Sequence, residues 1–134
     1  NNVRYLLMGG QALRLLGMPR FTMDWDFLLP KRDMANIVKI KRLLADILDF
    51  PLEDIGEKGE NFIQTYQTPF GVIQFHLLPL GFKTFEEAEE NKIVLNLSGN
   101  LQANCLSPKY LLKEKKAVSR GKDADDILFL ENLP

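Results

Sequence analysis

The chain opens on an apolar run at residues 3–8, which predicts a strand buried on both faces. Gly9 and Gly10 open a turn, and residues 11–16 predict a short helix ended by Gly17 and Pro19. Residues 23–29 predict a second strand. There Met23, Trp25 and Phe27 fall on one face and Asp24 and Asp26 on the other, because strand side chains alternate. Pro30 suits the start of a new element. Across residues 33–49, Met34, Ile37, Ile40, Leu43, Leu44, Ile47 and Leu48 recur at helical spacing, with Lys39, Lys41 and Arg42 on the wet face. Residues 53–61 read as a polar loop. Residues 62–68 and 72–78 predict two strands about a turn at 69–71. In the second of these, Ile73, Phe75 and Leu77 alternate with Gln74, His76 and Leu78, so Gln74 and His76 share a face. A short acidic helix follows at 85–91, then a hairpin of 93–97 and 101–106 around Gly99-Asn100. Ser107 and Pro108 start a helix that runs to about residue 119. Gly121 breaks it, and residues 123–130 predict a last helix.

This order is α+β: one mixed sheet with helices packed against it, most simply on one side. A length of 134 residues fits one domain spanning 1–134. Because the first strand begins so close to Asn1, an upstream helix is expected to precede it. A 46% hydrophobic and 26% charged composition is that of a folded globule. The formal net charge of -1 argues against a broad, nonspecific grip on nucleic acid. The single cysteine, Cys105, has no internal disulfide partner, so a reducing cytoplasm is the expected setting. No apolar run approaches the ~20 residues that cross a membrane.

Two carboxylates on one face of a strand repel unless a cation or open water separates them. A divalent ion is the usual reason for such a pair, and Mg²⁺ combines carboxylate oxygens with substrate phosphates. Taken singly, each feature has a plainer reading. An Asp-x-Asp pair can be two solvated residues on an edge strand, and a diglycine can be a tight turn. Arg20 can pair with a rim carboxylate, Thr22 can fill a strand position, and Trp25 can be core. His76 can be a satisfied structural histidine, Lys115 can belong to a solvated KEKK run, and Asp123 can cap the last helix.

In combination, the segment MGGQALRLLGMPRFTMDWDFLL resembles the signature of the nucleotidyltransferase superfamily related to polymerase beta. That signature is an apolar-Gly-Gly followed by Asp-x-Asp flanked by apolar residues. The variant Gly-Gly-x-Ala with Gly-x-x-Arg-x-Thr-x-Asp-x-Asp is similar to small stand-alone prokaryotic members. Among these are the nucleotidyltransferase-like toxins of abortive-infection and type IV toxin–antitoxin systems. The tail SPKYLLKEKKAVSRGKDADDILFL is similar to their closing segment.

The resemblance implies transfer of a nucleoside monophosphate from an NTP to a hydroxyl acceptor: a protein side chain, a tRNA end or a small molecule. It implies Mg²⁺ on Asp24 and Asp26 and a triphosphate against Gly9 and Gly10. Arg20, Thr22, Lys115, Arg120, Lys122 and Asp123 are implied as further nucleotide-binding positions, and a partner or antitoxin protein as a companion. Backbone can approach phosphate closely at glycine, and amides just inside a helix favour anions. Reactions of this kind need positioning and charge stabilisation more than covalent chemistry from the protein.

One position departs from the pattern. Where the family carries a third carboxylate, this chain has Gln74, and no acidic residue lies between Asn61 and Lys83. An amide cannot accept the acceptor's proton, and loss of such a base costs a factor of about 10²–10⁴. Asp123 or Asp126 stands in if the closing helices fold over the cleft. Three readings therefore stay open: an active transferase, a degenerate nucleotide binder or scaffold, and an interaction domain that binds no nucleotide.

Overall fold

The computed structural model describes residues 2–19, 22–118 and 123–134. β1 (Leu6–Met8) is buried along its length and runs directly into α1 (Gly9–Leu15). The helix therefore begins at the diglycine rather than after it. β2 (Trp25–Leu28) is shorter than alternation predicts, leaving Met23 and Asp24 ahead of the strand. α2 (Met34–Leu43) starts on Asp33, whose carboxylate accepts the Asn36 amide at 3.1 Å, and stops well short of residue 49. The apolar pattern continues past its end because Leu44 and Leu48, in the turns that follow, still pack against the core.

β3 (Ile63–Thr68) and β4 (Gly71–His76) form the expected hairpin, and β5 (Ile93–Ser98) and β6 (Leu101–Cys105) the second. Between them α3 (Phe85–Glu90) opens on a capping box of Thr84 and Glu87. α4 (Pro108–Val118) and α5 (Ala124–Glu131) close the chain. No described helix is long and apolar enough to cross a membrane.

All six strands lie in one sheet of order β3-β4-β2-β1-β6-β5. The pairs β3–β4, β1–β2 and β5–β6 are antiparallel, while β2–β4 and β1–β6 are parallel. β2 is thus interior. Its Asp26 is paired with Met8 on one side and with Gln74 on the other.

Helices cover both faces rather than one. Ile37 and Ile40 of α2 cluster with Tyr66, Phe75 and Leu77, and with Phe27 and Ile73. On the other face Leu6, Met8 and Leu28 cluster with Ala12 and Leu13 of α1 and with Tyr110 and Leu111 of α4. The central strands demand this arrangement, since β1 and β2 present large apolar side chains to both sides. Leu13, fully buried here, illustrates the scale: such a side chain contributes about 1.5–3 kcal/mol.

An open apolar groove of about 630 Å³ runs along the α2 face, past Trp25, Phe27, Ile73 and Phe75. Asp26 lies on the face opposite this groove, by the alternation of β2.

Candidate active site

Gly9 is required by close approach to the carboxylate strand. Gly9 holds φ +69°, a left-handed conformation that glycine adopts at no steric cost. A methyl group built on it would stand 2.6 Å from Asp26 Oδ2. One built on Gly10 would stand 3.2 Å from Thr22 Oγ1. α1 is also stitched to the same segment by polar bonds. Gln11 Nε2 donates to the Thr22 carbonyl at 3.1 Å, and Arg14 Nε donates to Gln11 Oε1 at 2.8 Å. Gln11 is 3% exposed, so this brace is internal. Sequence reasoning did not single out Gln11 or Arg14; a glutamine and an arginine on a short helix carry no distinctive signal.

Asp26 is half-buried, and His76 Nε2 lies 3.1 Å from its Oδ1. The two side chains are 20% and 16% exposed, respectively. An ionised carboxylate is acceptor-only, so His76 donates through Nε2–H. Gln74 is in register with Asp26, where the resemblance places a third carboxylate, and its Nε2 donates to Thr65 Oγ1 at 3.2 Å. Asp24 stands exposed one residue ahead of β2. The alternation of β4 identified the face of His76, but only the fold reveals its contact with Asp26. His76 also borders a cleft of about 240 Å³ flanked by Lys31, Phe62, Leu80 and Lys83.

Of the second tier of expected residues, Lys115 and Asp123 are paired with each other. Lys115 Nζ pairs with Asp126 at 3.1 Å and with Asp123 at 3.4 Å, and all three side chains are under a tenth exposed. The KEKK run is therefore not simply a solvated face, since Glu114 and Lys115 are buried. Asp123 occupies the N-cap position of α5 but makes no side-chain capping bond. Its carboxylate, like that of Asp126, is engaged by Lys115. Arg20, Arg120 and Lys122 lie outside the described residues.

The donors suit Mg²⁺ on the terms the motif suggests. Asp24 and Asp26 offer hard oxygens, and Mg²⁺ is commonly held by one or two carboxylates with phosphate and water completing the shell. The space a Cβ would fill at Gly9 lies directly against Asp26 Oδ2. Among the described residues no three His, Cys, Asp or Glu side chains form a metal cluster.

No protein-family model matches the chain, and no curated protein sequence does. Among solved structures it is similar to a crystal structure from Thermotoga maritima described as "a putative nucleotidyltransferase". The TM-score is 0.68 over 98% of this chain and 84% of that one, at 12% sequence identity. At that identity the likeness establishes the fold: an α+β architecture of nucleotidyltransferase type with a mixed six-stranded sheet.

Proposed function

We propose that the chain is a nucleotidyltransferase that moves a nucleoside monophosphate from an NTP to a hydroxyl acceptor. In the reaction the acceptor oxygen bonds to the α-phosphorus, the bond to pyrophosphate breaks, and the hydroxyl proton leaves to solvent or a base. The observation that carries this reading is the packing of Asp26 against Gly9 within a nucleotidyltransferase-type fold.

In this reading Asp24 and Asp26 would hold Mg²⁺, which supplies charge neutralisation along the triphosphate. Gly9 and Gly10 leave room for phosphate to approach the backbone. Thr22, whose carbonyl accepts from Gln11 Nε2, leads the chain into Asp24. Arg20, Arg120 and Lys122 offset nucleotide charge. Lys115 and Asp123, buried together with Asp126, hold α4 to α5 and remain in this reading as nucleotide-binding positions.

The acceptor is a protein side chain, a tRNA end or a small molecule, and a partner protein such as an antitoxin is part of the proposal. The single cysteine, Cys105, suits a cytoplasmic setting. The test is incorporation of α-labelled NTP into protein, tRNA and small-molecule acceptors with Mg²⁺ present. Transfer by the wild type, abolished in Asp26→Asn, supports the reading. Absence of both nucleotide binding and transfer overturns it.

A second reading is favoured by Gln74, whose amide stands where the resemblance places the third carboxylate. There the chain binds Mg²⁺–NTP without turnover and serves as a nucleotide-dependent scaffold. Binding without transfer identifies this case.

A further inference from the structure

We infer that His76 is a positioning residue that fixes the Asp26 carboxylate in its ligand-ready orientation; this rests on the nucleotidyltransferase reading above. Both oxygens of Asp26 have assigned neighbours. Oδ1 accepts from His76 Nε2 at 3.1 Å, and Oδ2 stands against the Gly9 backbone, where a Cβ would come within 2.6 Å. With one oxygen tied by a directional bond, the carboxylate cannot rotate freely, and the other oxygen stays at the diglycine. Both partners are four-fifths or more buried, so bulk water competes weakly for the bond.

The topology explains why this task falls to residue 76. β2 and β4 run parallel, with Asp26 in register with Gln74 and Leu28 with His76. Gln74 and His76 alternate onto the face of Asp26, but the Gln74 amide donates to Thr65 on the neighbouring strand. His76 is thus the β4 side chain that meets the carboxylate. Groups that orient a metal-binding carboxylate or histidine from behind typically change metal affinity 10–100-fold when removed.

The test is calorimetric titration of ATP into the intact chain with and without Mg²⁺, for the wild type, His76→Ala, His76→Phe and His76→Gln. His76→Ala is expected to weaken Mg²⁺-dependent ATP binding about 10–100-fold, with Mg²⁺-free binding unchanged. His76→Phe keeps the ring volume and removes the donor, so it gives the same answer should the alanine variant fail to fold. His76→Gln restores an N–H at similar reach and is expected to recover most of the Mg²⁺-dependent affinity. That rescue separates positioning from packing, since glutamine replaces the donor and not the ring. Wild-type affinity in folded His76→Ala or His76→Phe, or a glutamine variant as weak as they are, overturns the inference alone. A wild type that binds ATP no better with Mg²⁺ than without overturns the nucleotidyltransferase reading and this inference with it.

Discussion

Asp26 and Gln74 are paired across the parallel junction of β2 and β4, a carboxylate position in register with an amide. The junction is interior to the sheet, so the pairing is held by strands on both sides. A carboxylate at position 74 would add a proton acceptor and a metal ligand on the face of Asp26.

Gln74→Asp is therefore expected to raise the transfer rate by a factor of about 10²–10⁴, the usual contribution of a positioned base. Single-turnover transfer of labelled NTP measures it. An unchanged rate, with Mg²⁺–NTP still bound, means that residue 74 is not the missing group.

The two glycines of the bend should respond differently to substitution. Gly9→Ala places a methyl group against Asp26 Oδ2 at a position with φ +69°. Backbone strain of this kind costs about 1–3 kcal/mol, and the displaced carboxylate should lose Mg²⁺-dependent nucleotide binding. Gly10 meets Thr22 less closely, and alanine raises helix propensity by about 1 kcal/mol there. Gly10→Ala should stay near wild-type stability. Thermal unfolding of the two variants decides between this and a bend that tolerates both.

Lys115 is held by two buried carboxylates between α4 and α5. Lys115→Met should destabilise the protein, because it removes a buried cation that both Asp123 and Asp126 engage. Denaturant unfolding of the variant tests it, and a variant as stable as wild type would contradict the assignment.

Burial pushes the Cys105 thiol up to about 12. The unfolded thiol titrates near 8.5, so the folded state favours the protonated form. The resulting stability is intact below about pH 8.5 and is lost as pH rises toward the folded value. Native Cys105 should also resist iodoacetamide until the protein unfolds. Fast alkylation at neutral pH under native conditions would contradict its burial.

The sequence made some of this legible and not the rest. The hairpin of β3 and β4 follows from alternation and the turn at 69–71, and its ends are displaced by at most two residues. The pattern from Met34 to Leu48 overstates α2, because periodicity records which residues face the core and not which backbone shape puts them there. Gly9 and Gly10 look like a breaker from composition alone. They begin α1 instead, with Asp26 and Thr22 occupying the space where side chains at these positions would stand. Lys115 in its charged run looks solvated until α5 is docked against α4. Likewise, alternation assigns His76 and Gln74 to one face but cannot say which of them reaches Asp26.

The central claim is that Asp24 and Asp26, the latter against Gly9, grip a magnesium-bound triphosphate. A crystal soaked with Mg²⁺ and a non-hydrolysable NTP analogue tests it most directly. The account predicts ion density coordinated by both carboxylates, with the phosphates lying along the diglycine. A nucleotide seated in the apolar groove beside Trp25, with Asp24 and Asp26 left without an ion, would contradict it.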